Sequence, residues 1–166
     1  PTNVCFFLQQ AVNVGADDLS QYCLSMVEEN AEKIMQSSDA LNHLNQGTLE
    51  LILKSDKTTT REENIFRACY QWAQDQCTNN GLEVTGENIR STLGPLLFHI
   101  RFPIINIKYF TNRVIPTGIL TKDESLAVFT SFNATSKDSK DEWLYHHFLA
   151  SVMCLFSTCT QILIYF

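Results

Sequence analysis

Thiolates and neutral imidazoles at short, regular spacing are what a zinc ion needs. His146, His147, Cys154 and Cys159 form the densest His/Cys group in the chain. Their spacing, His-His followed by Cys seven and twelve residues on, matches no zinc pattern, and acids that would orient the imidazoles are scarce nearby. Cys69 and Cys77 lie eight residues apart on one apolar stripe, without the neighbouring ligands a metal requires. Together with Cys5 and Cys23 they read as buried free thiols of a reducing compartment rather than as a disulfide framework. Ser, His and acidic residues for a nucleophilic triad are present in the composition, but no G-x-S-x-G, G-x-G-x-x-G, P-loop or H-E-x-x-H motif arranges them. Asn133-Ala134-Thr135 is a glycosylation sequon that carries meaning only on a secreted chain. The expectation is a protein that is not an enzyme, with no catalytic, cofactor or metal site.

The bulk properties are those of a foldable globular chain. Of 166 residues, 45% are hydrophobic and 18% charged, which suits one domain with an extra segment at one end. The net charge is -6 and no Lys/Arg cluster occurs, so nucleic acid is not an expected partner. No basic stretch precedes an apolar one at the start, so a signal peptide is not expected, and the first residue, Pro1, suggests a beginning inside a longer protein. The expected location is cytoplasmic.

Helical periodicity dominates the elements that must position any site. An apolar helix is expected around Val4 to Val12, with Gly15 after it. Between residues 17 and 36, Leu19, Tyr22, Cys23, Met26, Val27, Ala31, Ile34 and Met35 form a 3.6-period stripe, with Asp17 or Asp18 as its cap. Asn45 to Lys54 reads as a short helix with Leu49, Ile52 and Leu53 inward. Thr60-Arg61-Glu62-Glu63 has the form of a capping box, and the stripe Ile65, Phe66, Cys69, Trp72, Ala73 and Cys77 follows it to a stop at Asn79-Asn80-Gly81. Thr85 to Leu93 is a further helix. Leu96 to Ile100 fits helix or strand by periodicity, and its helical neighbours favour helix, ended by Arg101-Phe102-Pro103 because a residue before proline avoids the helical region. Ile107, Phe110 and Val114 make a short stripe, and a second capping box, Thr121-Lys122-Asp123-Glu124, opens a helix through Leu126, Val128 and Phe129. With no hairpin pattern, the fold expected is all-α, an array of short antiparallel helices. Trp72 is expected in the core with its N–H on a backbone carbonyl. Arg101, the one charge in an apolar run, reads as a structural arginine paired with an acid or with helix C-terminal carbonyls, and a direct partner contact is the second reading.

Residues 133–142 read as a polar linker. Trp143 to Phe166 then holds 24 residues without Lys, Arg, Asp or Glu, 17 of them apolar. Three readings of this C-terminal segment stand: a membrane-spanning helix, for which it is long enough; a helix packed on the domain or a partner; and a sequence unrelated to function.

Four stretches in order resemble a known family. Gln46 to Leu53 resembles its T-L-E-x-I-L helix. Ile65 to Ala73, with Phe66, Trp72 and Ala73, resembles V-F-x-A-x-x-x-W-A. His99 to Ile105, with Arg101, Phe102 and Pro103, resembles the V-R-F/I-P core. Gly118 to Glu124, with Leu120, resembles the G-I/V-L-T-x-x-E turn. The family is the BACK domain, which follows the BTB domain in BTB-Kelch and BTB-PHR proteins, and the turn is typical of the BTB-BACK-PHR branch. The resemblance covers residues 1–132, with Pro1 to Cys5 at the edge of the second BACK helix, so the BTB domain and the first BACK helix are expected to be missing and no PHR sequence follows. It implies a non-catalytic helical scaffold in a substrate adaptor for a cullin-RING ubiquitin ligase. In such a protein a BTB domain, absent here, dimerises and grips the cullin, a C-terminal domain holds the ubiquitination substrate, and BACK sets the distance between them. The alternative is a membrane-attached interaction protein anchored by residues 143–166, which ranks below the scaffold.

Overall fold

The computed structural model describes residues 3–55 and 57–133. Among these residues every regular element is helical, and the architecture is an all-α array of short antiparallel helices. The apolar segment 143–166 and all of the 133–142 stretch except Asn133 lie outside the described residues.

Helix α1 (Asn3–Val14) buries Val4, Cys5, Leu8 and Ala11 and turns at Gly15 into α2 (Asp17–Glu29). The stripe expected over 17–36 is divided. Asn30 donates its N–H to the Val27 carbonyl at 3.2 Å, and a separate α3 (Ala31–Gln36) begins. Only part of that stripe turns inward: Cys23, Val27, Ala31, Ile34 and Met35 are buried, whereas Leu19, Tyr22 and Met26 are exposed. Asp17 and Asp18 do not cap α2. The N-cap is Ala16, without a side-chain bond, and the two acids sit one step later in the first turn, where they still favour the helix dipole.

A single turn, α4 (Ser38–Leu41), leads to α5 (Gln46–Leu53), whose start is held by the Asn45 side chain accepting from Thr48 N at 2.8 Å. Leu49 and Ile52 are fully buried and Leu53 packs against the core. The centre of the fold is α6 (Glu62–Asn79), which buries Ile65, Phe66, Cys69, Trp72, Ala73 and Cys77, as its periodicity requires. It ends in a Schellman motif: Gly81 N donates to Thr78 O and Leu82 N to Cys77 O, with Gly81 at φ 68°, a conformation glycine adopts without a Cβ penalty. The capping box expected at Thr60 is not formed. The N-cap is Arg61, Thr60 donates instead to Glu32, and Glu62 and Glu63 accept from residues around 101–106. Tertiary partners outcompete the local pairing.

Helix α7 (Gly86–Leu93) is capped by Thr85, whose hydroxyl accepts from Asn88 N at 3.2 Å. Residues 94–99 form a 3-10 turn rather than an α-helix, and the chain becomes extended at Ile100. Phe102–Ile104 then make a second 3-10 turn, so the break falls before Phe102 and not at the Phe102–Pro103 step. The stripe at Ile107, Phe110 and Val114 is likewise irregular: one turn of α8 (Ile107–Tyr109) widens into a π-helical turn at Phe110–Val114 and tightens at Ile115–Thr117. Phe110 and Val114 are buried and Ile107 is exposed. The second capping box is formed, with Glu124 N on Thr121 Oγ1 at 3.2 Å and Thr121 N on a Glu124 carboxylate oxygen at 2.8 Å. It opens α9 (Lys122–Asn133), where Val128 is buried, Phe129 and Phe132 pack on the core and Leu126 is exposed.

Candidate functional site

Motif residues of α6 and of the 3-10 turns meet around Arg101. Glu62, the first residue of α6, is only 4% exposed. Its carboxylate accepts from the Arg101 backbone N–H at 2.7 Å, from Nε at 3.0 Å, and pairs with the Arg101 guanidinium terminus at 3.0 Å. Burial pushes the Glu62 carboxyl above the ordinary carboxylate value, and the Arg101 hydrogen bonds and charge pull it part of the way back. The Arg101 side chain stays half exposed, so the carboxylate, not the guanidinium, is the desolvated partner.

Aromatic rings continue from this pair. Phe66 packs edge-on against Phe102 at 6.1 Å and against Tyr109 at 6.3 Å. Phe102 meets Phe110 at 6.3 Å, and Phe110 meets Phe129 and Phe132 of α9 at 5.5 and 5.7 Å. Such edge-to-face pairs add about 0.5–1.5 kcal/mol each beyond area burial. On the other side of α6, Trp72 is buried and donates Nε1–H to the Leu44 carbonyl at 3.0 Å, while Ala73 lies fully buried beside it. Pro103 and Leu120 are half-buried at the margin of this core.

A second carboxylate ties α9 to α7. Arg90 makes a bidentate pair with Glu124, at 2.8 and 2.7 Å, and donates to the Ile119 carbonyl at 2.6 Å. Bidentate guanidinium–carboxylate geometry fixes orientation as well as distance. Close beside it α7 begins at Gly86, where a Cβ would lie 2.5 Å from the Thr117 carbonyl oxygen. Further back, Gln46 donates to the Thr92 and Leu93 carbonyls at the end of α7, and buried Gln9 accepts from Asn45 N at 2.7 Å. None of Glu62, Arg90, Gln9 and Gly86 stands out as a site residue in the sequence. Glu62 and Glu124 carry a local signal, as members of capping boxes, but their arginine partners lie 39 and 34 residues away.

The arrangement holds helices in place. Cys5, Cys23, Cys69 and Cys77 are free and buried. Burial pushes the Cys5 thiol up to about 11 and the Cys69 thiol up to about 12, so neither is a thiolate near neutral pH. Among the described residues no group of three or more His, Cys, Asp or Glu could hold a metal ion, and no helix is long and apolar enough to cross a membrane. The His146/His147/Cys154/Cys159 group lies outside those residues.

Comparison with known proteins agrees with the motifs. The sequence profile of BACK, BTB And C-terminal Kelch, matches residues 4–115. The chain is 30% identical over 139 residues to BTB/POZ domain-containing protein 6 of Homo sapiens, covering 84% of this chain and 26% of that protein. It is 31% identical over 135 residues to BTB/POZ domain-containing protein 6-B of Danio rerio, covering 81% and 28%. It is 30% identical over 135 residues to BTB/POZ domain-containing protein 3 of Mus musculus, covering 81% and 25%. The chain thus spans about a quarter of the length of these relatives. No solved structure matches it.

Proposed function

Because the chain belongs to the BACK family, we propose that it is the spacer of a BTB-type substrate adaptor for a cullin-RING ubiquitin ligase, a cytoplasmic, non-catalytic scaffold. On this reading residues 1–132 are the BACK unit, 133–142 a linker, and the cullin and the substrate are held by other parts of a longer protein, which dimerises through its BTB domain. The relatives are BTB-domain proteins, and a BTB-family protein-interaction scaffold is the coarser statement that family membership carries.

The observation that supports the finer reading is how the motif segments are joined. Glu62–Arg101 and the Phe66–Phe102–Phe110–Phe129 ring series join α6 to α9, and the Arg90–Glu124 pair joins α9 to α7. Each joint fixes the direction of an element rather than exposing a reactive group. A spacer needs that property: its contribution is distance and angle, and a 1 Å misplacement far from the chemistry can slow a reaction by orders of magnitude.

A domain exchange tests the proposal. Residues 1–133 would replace the matched segment of the human relative, and cullin co-precipitation and substrate ubiquitination would be measured on the chimera. The reading expects both to be retained, and expects ubiquitination to fall in a Trp72→Ala chimera. A folded chimera that binds cullin but supports no ubiquitination would overturn it.

A further inference from the structure

Charge is unevenly spread along the chain. Residues 88–122 hold five Lys/Arg and no Asp or Glu, in a chain of net charge -6. Two of the five are used inside the fold, Arg90 on Glu124 and Arg101 on Glu62. Lys108 and Arg113 enter none of the ion pairs among the described residues, and both are exposed. The π-helical turn at Phe110–Val114 aligns them. Residues four and five apart fall near one row of such a turn, so Arg113 lies over Tyr109 and Lys108. Tyr109 carries this row onto α6: its ring packs edge-on against Phe66 at 6.3 Å, and its hydroxyl donates to the Glu63 carbonyl at 3.4 Å. Arg67 stands one helical turn beyond Glu63 on the same face of α6 and is exposed. Burial raises the Tyr109 hydroxyl above its ordinary value and the charges of Arg67 and Arg113 oppose that rise, so both guanidinium groups act at this hydroxyl.

The acids near this point do not neutralise it. Glu63 is the one carboxylate acting at Tyr109, and its Oε1 accepts the Asn106 N–H at 3.0 Å. Arg67 donates to the Asn64 side-chain oxygen at 3.3 Å, and Asn64 in turn donates to Glu32. Three cations, Arg67, Lys108 and Arg113, thus stand against one carboxylate. Like charges gathered on one face repel each other, and an anion relieves that repulsion. Guanidinium forks take carboxylates in particular, two N–H bonds to the two oxygens. Ile104 and Ile107, 47% and 45% exposed, come directly before Lys108 in the chain and add apolar surface. Acids interleaved with apolar residues complement both features. We propose that Arg67, Lys108 and Arg113, ranged about Tyr109, form a docking site for an acidic peptide segment of a partner protein.

The test uses the full chain and three probes: a short peptide of Asp and Glu interleaved with Leu, the same peptide with Asn and Gln in place of the acids, and a single-stranded oligonucleotide of equal charge. NMR titration would locate the site and give the affinities. The acidic peptide is expected to shift the amide resonances of residues 104–115 and the guanidinium resonance of Arg67, and the amide peptide to bind at least about five-fold more weakly. Arg67→Gln with Arg113→Gln, both at exposed positions, should weaken the acidic peptide about three- to ten-fold. Lys54→Gln with Lys57→Gln removes the same amount of charge at the end of α5 and just after it, and should change the affinity by less than about 1.5-fold. Shifts centred elsewhere, equal binding of the amide peptide, equal losses in the two double variants, tighter binding of the oligonucleotide than of the acidic peptide, or no binding of the acidic peptide would each overturn the proposal.

Discussion

Phe66, Phe102 and Phe110, around the motif core, are 4%, 0% and 0% exposed, whereas Phe6 and Phe7 on α1 are 43% and 54% exposed. The two regions use the same residue type for different ends. In the motif core Phe66, Phe102 and Phe110 each meet another ring, and the buried carboxylates Glu62 and Glu124 each meet an arginine. On the α1–α2 hairpin the inner rows, Leu8, Cys23 and Val27, are buried, while the outer rows leave Phe6, Phe7, Val14, Leu19, Tyr22 and Met26 in solvent. Singly exposed apolar residues are ordinary, but rows of them on consecutive helices mark a surface that meets something else. The motif core is closed on itself, whereas the outer faces of α1 and α2 remain exposed among the described residues.

The contrast breaks most sharply at two phenylalanines. Phe102→Ala should cost about 3–5 kcal/mol, as a large truncation in a closed core does, whereas Phe7→Ala should stay within about 0.5 kcal/mol. Equal losses in thermal or denaturant unfolding would erase the distinction.

The next effect concerns Arg101. Arg101→Ala leaves buried Glu62 without its guanidinium partner, with only the backbone N–H of residue 101 on it, and should cost about 2–3 kcal/mol near neutral pH, somewhat below the cost for a fully buried pair because the guanidinium reaches water. Glu62 has its carboxyl raised in the folded state, so the folded chain holds this proton more tightly than the unfolded chain, with its value of 4.5. The stability linked to that proton is fully present below about 4.5 and is lost as pH rises through the folded value. The backbone N–H at position 101 stays, but the guanidinium's charge and hydrogen bond, which also pull the value down, are lost, so the deficit of the variant should be largest at neutral pH and shrink as pH falls. A deficit that grows on acidification would contradict the pairing.

Gly86→Ala places a methyl 2.5 Å from the Thr117 carbonyl oxygen and 2.8 Å from Gly118 backbone atoms, and should cost about 1–3 kcal/mol by forcing the turn away from α7. Hydrogen exchange should show the loss first at residues 115–120, and exchange changes confined to α1 and α2 would be inconsistent with it. The smallest effect separates the two capping boxes. Thr121→Ala should lower stability by about 1 kcal/mol, while Thr60→Ala, where no cap bond exists, should do less, as read from their midpoints in one denaturant series.

These differences also mark what the sequence could convey. The face of α6, the helix beginning near Thr85, the capping box at Thr121 and the stop at Gly81 are legible because each depends on residues a few positions apart. The box at Thr60 misleads for the same reason: a correct local pattern is present, but Thr60, Glu62 and Glu63 bond to Glu32, Arg101 and Asn106 instead. Likewise the stripe over 17–36 is periodic, yet periodicity does not say whether a row faces the core or a partner, and Leu19, Tyr22 and Met26 face outward. A structural pairing for Arg101 follows from its place as the one charge in an apolar run, but Glu62 as its partner requires the fold. The Phe6–His43 ring contact joins residues 37 positions apart in the chain, on elements whose packing no short-range signal encodes.

The claim that this BACK-family chain works as a rigid spacer is tested most directly by a distance across it. Spin labels at Gln10 on α1 and Thr130 on α9, attached through non-cysteine chemistry so that Cys5, Cys23, Cys69 and Cys77 stay untouched, would be read by pulsed dipolar spectroscopy. A single narrow distance, broadened when Arg90→Ala removes the bidentate pair to Glu124, is the result the account predicts. A broad or multimodal distribution in the native chain would contradict it.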